Sequence, residues 1–116
     1  MGMTIAEKIL ARKSGQDRVG PGDLVTVEVD TVIFVDTNFV PSRWREILSV
    51  RNPERIIVVL DHRAPAATQQ CAAMHQIARR FVARFGIKRF HDIGYQQGIS
   101  HQLVADHAYA LPGSVL

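Results

Sequence analysis

The chain has 116 residues, about one ordinary domain, of which 47% are hydrophobic and 22% are charged. This composition is typical of a soluble globular protein and excludes an intrinsically disordered one. No apolar run approaches the ~18 residues needed to span a bilayer, and Glu7 interrupts the apolar start that a signal peptide would need. A single cysteine, Cys71, excludes an internal disulfide. We therefore expect a cytoplasmic protein that does not associate with a membrane.

The net charge of +3 and the sequence pI of about 9.5 raise the question of a nucleic-acid partner. The arginines and lysines are spread along the chain, however, and aromatic residues make up only 7%. A nucleic-acid surface normally combines a basic patch with stacking aromatic side chains. Solvated surface charge is the better interpretation, and no nucleic-acid partner is expected.

The first third of the chain predicts one helix and two strands. Thr4 and Glu7 form an S/T-x-x-E capping box before an apolar stripe, and Gly15 fits the helix end. After a Gly-Pro-Gly-Asp turn, residues 24–30 alternate apolar and polar side chains, as in a strand with one exposed face. Residues 31–36 are nearly all apolar and predict a second, more buried strand.

The middle of the chain predicts a short helix and a central strand. The helix begins at Pro41, with Trp44, Ile47 and Leu48 on its buried side. Residues 56–60 (IIVVL) are consecutive β-branched or leucine residues. Such a run is the signature of a strand that is buried on both faces, as in a parallel sheet covered by helices.

The rest of the chain continues this alternation of helices and strands. Apolar residues at three- and four-residue spacings predict the longest helix, which ends at Gly86. A fourth strand at 88–93, a loop at 94–98, a last helix at 99–108 and the beginning of a strand at 114–116 follow. The alternation predicts one α/β domain over residues 1–116, with three α/β/α layers and a mostly parallel sheet. The apolar end after a Pro-Gly turn predicts a truncated domain.

Asp61 and His62 stand where the central strand should end. Ligands of open α/β sheets gather outside the carboxyl ends of the strands, and a carboxylate can orient a neighbouring imidazole for proton transfer. A catalytic pair is therefore one interpretation. An aspartate that forms a turn or caps a helix is the structural alternative.

Further polar residues are expected at the same edge of the sheet. Asp36, Thr37 and Asn38 end the second strand as the Asp-His pair ends the central one. His101 follows a glycine-bordered loop at a predicted helix start, where anions are favoured, although a histidine on a helix surface is the alternative. These side chains predict a polar rim suited to a small polar or anionic ligand.

The other titratable residues carry simpler interpretations. Cys71 is expected to be a packing residue, because no set of metal-spaced partners accompanies it. His75 is expected on the exposed, arginine-rich side of the long helix. His91 has no evident role, and His107 fits the C-terminal end of the last helix. No metal site is predicted within this chain.

Five motifs in register identify a family: MGMTIAEKILAR, PGDLVTVEVD, VVLDH, YQQGISHQ and LPGSV. Their order and spacing resemble the N-terminus of the aconitase superfamily, and within it the large subunits of 3-isopropylmalate dehydratase and their homoaconitase-like relatives. The resemblance covers the whole chain but only about the first quarter of such a subunit.

The resemblance implies an iron-sulfur hydro-lyase that acts in leucine biosynthesis. Such an enzyme isomerises a hydroxy-di- or tricarboxylate by dehydration and rehydration. A [4Fe-4S] cluster with one open iron site acts there as a Lewis acid. By the family's motifs, Asp61 and His62 protonate the departing hydroxyl and His101 is a further active-site residue. Residues 36–38 fall where the family contacts substrate, although Asn38 and its successors depart from the usual small and hydroxyl residues.

The family's three cluster cysteines and its Asp-Ser-His motif lie beyond this sequence, and Cys71 matches none of them. We therefore expect no cluster on this chain alone and no activity without the remaining domains or a small subunit. The alternative is a stand-alone α/β module for binding or self-association, with a homodimer as its simplest form. The sequence does not distinguish among isopropylmalate, homocitrate and related substrates.

Overall fold

The computed structural model describes residues 2–116, and within them three parallel strands form a single sheet. The strands are β1 (Val32–Val35), β2 (Ile56–Val59) and β3 (Arg89–His91), in the spatial order β1-β2-β3. The α-helices of the same residues are α1 (Ile5–Ser14), α2 (Gln69–Phe85) and α3 (Ser100–Asp106). Short 3-10 turns at Asp36–Phe39 and Pro53–Arg55 follow β1 and precede β2. The predicted α/β class with a parallel sheet is confirmed.

The central strand β2 is the core of the domain. Ile57, Val58 and Val59 have no exposed surface. Val58 packs on the side of α2, whereas Ile57 and Val59 pack with Leu103 of α3. Helices therefore cover both faces of the sheet, and the result is the expected three-layer α/β/α arrangement.

Helix α2 forms where the apolar periodicity predicts it. The Thr68 hydroxyl accepts a hydrogen bond from the Cys71 amide at its start, and Gly86 ends it with a positive φ of 63°. Phe81 on its buried face lies in an aromatic cluster whose ring centroids are 5.2–5.7 Å apart. Burying one such ring contributes about 2–3 kcal/mol to folding, so this cluster is a main source of stability.

Helix α1 begins with the predicted capping box. Thr4 and Glu7 each accept a hydrogen bond from the other's backbone amide, and Gly15 ends the helix with a φ of 70°. Lys13 pairs with Asp30. Among the helices of residues 2–116, none is long and apolar enough to cross a membrane.

The predicted strand at 24–30 is wrong. This segment has no regular secondary structure, and the Leu24 side chain is fully exposed. The Glu28 amide bonds to the Lys13 carbonyl, and the Asp30 amide bonds to the Val115 carbonyl, so the backbone groups find scattered partners. Alternation describes a strand only when a neighbouring strand accepts its hydrogen bonds, and none does here. Residues 114–116 do not begin a strand either: the Val115 carbonyl accepts the amides of Asp30 and Thr31, and the Val115 amide donates to the Asp30 carboxylate, so no ladder forms.

The predicted helix after Pro41 is also wrong. Only one turn closes, with the amides of Arg43 and Trp44 bonding to the Val40 carbonyl, and the following residues are irregular. Trp44 packs against the core as expected, but Leu48 is 79% exposed. A single turn is too short to sustain a helix, so tertiary contacts fix the path of the chain.

Candidate functional site at the carboxyl edge of the sheet

The carboxyl ends of β1 and β2 meet at one edge of the sheet. The two strands are parallel and in register, with Val35 opposite Val59. Asp36 follows β1 directly, and Asp61 follows β2 after Leu60. The topology therefore brings Asp36, Asp61 and His62 together, as the sequence predicted for this edge.

Asp61 and His62 form a close hydrogen-bonded pair. His62 Nδ1 lies 2.6 Å from Asp61 Oδ1, and because a carboxylate only accepts, Nδ1–H donates. The Asp61 side chain is 7% exposed, whereas that of His62 is 49% exposed. The carboxylate is thus fixed below the surface, whereas the imidazole is half-exposed and its Nε2 is not engaged by Asp61.

Helix α3 holds the other oxygen of Asp61. The backbone N–H of Ser100, at the start of α3, donates to Asp61 Oδ2 at 2.7 Å. Burial by itself raises the pKa of Asp61, but hydrogen bonds from Ser100 and His62 outweigh it and hold the pKa below its ordinary value of 3.8. Asp61 is therefore an anion at neutral pH, oriented towards the imidazole.

Asp36 lies beneath this pair and is completely buried. Its Oδ2 accepts the backbone N–H of Arg63 at 2.6 Å, which ties the turn after His62 to the end of β1. Its Oδ1 lies 4.0 Å from His62 Nδ1. His75 Nε2 lies 3.6 Å from Asp36 Oδ2, which is within ion-pair distance but too long for a hydrogen bond.

The burial of His75 corrects the prediction that it is exposed. Its side chain is 2% exposed and faces Asp36. The spacing to Ala78, three residues later on α2, places His75 on the apolar face of the helix beside Met74. That spacing was visible in the sequence, but the nearby arginines obscured it.

The remaining predicted site residues lie around this cluster. Thr37 and Asn38 are exposed on the 3-10 turn after β1, and Asn38 Oδ1 accepts the Val35 amide, which makes it a cap of that turn. His101 is exposed at the start of α3, next to the Ser100 amide that holds Asp61. The roles of these three residues stay predictions.

Sequence reasoning missed the role of His91, which is completely buried at the end of β3. Its Nδ1 lies 2.8 Å from the Gln96 carbonyl oxygen, so Nδ1–H donates, and its Nε2 lies 3.1 Å from the Tyr109 hydroxyl. His107 stacks on the Tyr109 ring. His91 is therefore a structural residue that ties the loop after β3 to the segment after α3.

The donor set of this chain does not fit an iron-sulfur cluster. Such clusters are held mainly by cysteine thiolates, and the sequence has one cysteine, whose Sγ accepts a hydrogen bond from the Thr68 hydroxyl on the first turn of α2. The donor atoms of Asp36, Asp61 and His62 lie within 4.8 Å of one another, but they are oxygen and nitrogen atoms.

The fold and the site together define a parallel α/β domain with an aspartate-histidine pair at the carboxyl edge of its sheet. No protein-family model matches the chain. Across all 116 residues it is 44% identical to the 3-isopropylmalate dehydratase large subunit of Mycolicibacterium smegmatis. It is 38% identical to the probable 3-isopropylmalate dehydratase large subunit of Methanothermobacter thermautotrophicus, and 43% identical over 113 residues to the methanogen homoaconitase large subunit of Methanocaldococcus jannaschii.

The chain is thus a relative of the 3-isopropylmalate dehydratase large subunits along its whole length, and the resemblance inferred from its motifs is confirmed. It spans 27% of the Mycolicibacterium protein and 28% of the Methanothermobacter protein. It therefore corresponds to about a quarter of the curated relatives that it matches.

Proposed function

We propose that this chain supplies the proton-transfer pair of a hydro-lyase that isomerises a hydroxy-di- or tricarboxylate by dehydration and rehydration. The Asp61–His62 hydrogen bond of 2.6 Å at the carboxyl edge of the sheet is the observation that carries the proposal. The names of the relatives support the reaction class and make 3-isopropylmalate the first substrate to test. The remaining part of a large subunit and a small subunit are the proposed partners, and they would supply the [4Fe-4S] cluster.

The roles of the residues follow from their positions. Asp61 holds the Nδ1–H of His62, which leaves Nε2 to carry and deliver a proton at the exposed edge. The anionic Asp61 stabilises the imidazolium that exists before the proton is transferred. A hydroxyl that leaves a β-hydroxy acid needs such a proton to depart as water, and the imidazole regains the proton when water adds back.

A reconstitution experiment tests this proposal. The chain is co-expressed with the remaining three quarters of the Mycolicibacterium large subunit and its small subunit, and isomerisation of 3-isopropylmalate is followed. We expect activity only when all parts are present, and a His62→Ala loss of about 100-fold or more, in line with typical general-acid contributions. His107→Ala is the matched control, because it is an exposed histidine outside the site.

Two results would count against the proposal. Full activity of His62→Ala in the reconstituted enzyme would remove the proton-transfer role. Correct assembly with no activity of the unsubstituted chain would remove the hydro-lyase role.

Self-association is the second candidate function, favoured by a groove of mixed character beside the edge strand β1. The groove has a volume of about 540 Å³, and its lining combines apolar residues such as Val32, Phe34 and Ile47 with charged residues such as Glu28 and Arg51. Exposed apolar surface next to an unpaired strand is a common site of protein association. Sedimentation velocity tests this function. We expect the chain to form a dimer and Val32→Lys to disrupt it. A chain that stays monomeric at all concentrations would exclude self-association.

A further inference from the structure

Three donor atoms at the carboxyl edge are spaced as the ligands of a single metal ion. Nδ1 of His62 lies 2.6 Å from Asp61 Oδ1 and 4.0 Å from Asp36 Oδ1, and all three lie within 4.8 Å of one another. Two ligands that are each about 2.0–2.2 Å from a first-row ion can be up to about 4.4 Å apart. The separation of 4.0 Å falls within this limit, and the two aspartate oxygens are at most 4.8 Å apart. The 2.6 Å separation is that of a hydrogen bond, so the half-exposed imidazole has to rotate away from Asp61 before an ion can reach all three atoms.

An independent observation points to a ligand at the same place. Oδ1 of Asp36 is buried and has no hydrogen-bond partner among the described residues. Burying an oxygen of a carboxylate without a hydrogen-bond partner is energetically costly. Across residues 2–116, no lysine or arginine forms an ion pair with this carboxylate, whose neighbours of potential positive charge are His62 and His75. Neither histidine forms a hydrogen bond to Oδ1, so this buried oxygen lacks the direct partner that a buried carboxylate needs.

We propose that this chain binds one first-row divalent cation through Asp36 Oδ1, Asp61 Oδ1 and His62 Nδ1. One imidazole and two carboxylates form a borderline donor set that suits Zn²⁺, and the half-exposed His62 leaves a path for the ion from solvent. The backbone amides of Ser100 and Arg63 hold the outer oxygens of the two carboxylates and fix their orientation. Water completes the coordination.

Binding replaces the hydrogen on Nδ1 of His62 by the ion. The Nδ1–H bond breaks, and its electron pair forms the bond to the metal. From an imidazolium, Nε2 keeps its hydrogen and one proton leaves to solvent, whereas in a neutral ring the proton moves from Nδ1 to Nε2 and none is released. The ion therefore replaces the hydrogen bond between Asp61 and His62. This site goes beyond the proposed function, since the proton-transfer role requires the ion-free form.

The test uses the 116-residue chain, labelled with ¹⁵N and titrated with Zn²⁺ alone. We expect a one-to-one isotherm by calorimetry and a shift of the His62 Nδ1 resonance to a metal-bound value. Asp36→Asn should weaken Zn²⁺ binding at least about tenfold, because the variant loses a charged ligand. His107→Ala is the matched control and should leave the affinity unchanged.

A second variant keeps the test decisive if Asp36→Asn does not fold. His62→Gln alters a half-exposed side chain that can be changed without disturbing the core, and it should also abolish one-to-one binding. Equal affinity in Asp36→Asn and the unsubstituted chain would show binding to a surface imidazole only and would overturn the proposal. Absence of binding at millimolar Zn²⁺, or coordination through Nε2 of His62, would overturn it as well. None of these readouts depends on substrate turnover, so the proposed function can fail while the metal site stands.

Discussion

Replacing Asp61 with asparagine tests whether the carboxylate is held as an anion by its neighbours. In the native chain, one oxygen accepts the Ser100 amide at 2.7 Å and the other accepts from His62 at 2.6 Å. The asparagine side chain keeps a carbonyl oxygen for Ser100, but that bond changes from charge-assisted to neutral, which costs about 1 kcal/mol. Its NH₂ group faces the donor of His62, and the half-exposed imidazole avoids it by turning to solvent. We therefore expect a total loss of about 1–2 kcal/mol in the free energy of unfolding.

The pH dependence of this loss provides a sharper test. The pKa of Asp61 is lowered in the folded state, so the unfolded chain binds the proton first as the pH falls. The stabilisation by the carboxylate is fully present above about pH 4, which is the ordinary pKa of an aspartate in the unfolded chain. It is lost as the pH falls through the lower pKa of the folded state. The difference between the native chain and Asp61→Asn should therefore shrink in acid.

Urea denaturation followed by circular dichroism measures both quantities. Asp17→Asn is the control, because Asp17 is an exposed carboxylate whose replacement should change stability by no more than about 0.5 kcal/mol. The reasoning is refuted if Asp61→Asn is as stable as the native chain at neutral pH. It is also refuted if the loss of stability stays the same from neutral to acid conditions.

Three further substitutions test the elements that support the site. Phe81→Ala should lower the free energy of unfolding by about 3–5 kcal/mol, because the ring is 4% exposed within the aromatic cluster, and a loss below about 1 kcal/mol in denaturation would contradict this packing. Gly98→Ala places a Cβ 2.8 Å from Leu103 Cδ2, so we expect the free energy of unfolding to fall by about 1–3 kcal/mol. We also expect the Ser100 amide resonance to shift in the NMR spectrum, and an unchanged spectrum would show that the contact relaxes freely. Arg79→Ala removes the two hydrogen bonds to Asp92 and should lower the free energy of unfolding by about 0.5–1 kcal/mol in the same denaturation assay. No effect is expected in a chain that already carries Asp92→Asn, and equal losses with and without Asp92→Asn would argue against the pair.

The parts of the fold that sequence could predict are those with a local signal. The apolar run at 56–60 predicts β2 because a strand buried on both faces needs no polar alternation. The three- and four-residue spacings predict α2, and the capping box predicts the start of α1. In each case the backbone hydrogen bonds are made within the helix itself or, for the strand, with a neighbouring strand.

The parts that sequence could not predict depend on partners far along the chain. Residues 24–30 have the alternation of a strand, but their amides meet the carbonyls of Lys13 and Val115 instead of a ladder. His75 lies on the apolar face of α2, as its spacing to Ala78 indicates, but its neighbour Asp36 is 39 positions earlier in the sequence and no local pattern records that contact. The sequence predicted that the polar residues after β1 and β2 meet at one edge of the sheet, because parallel strands end together. It did not predict which of these residues are buried, because their burial depends on how α2 packs.

The two backbone amides at the carboxyl edge explain why a single side chain is left to act there. The amide of Ser100 fixes Asp61, and the amide of Arg63 fixes Asp36, so both carboxylates are oriented by the main chain without the entropy cost of ordering long side chains. His62 is the remaining member of the cluster and the one with substantial exposure. In both proposals this imidazole is the point of contact: Nε2 transfers a proton to the proposed substrate, and Nδ1 coordinates the proposed ion. The same preorganised pair of carboxylates supports either role, and the two roles exclude each other because Nδ1 carries either its hydrogen or the ion.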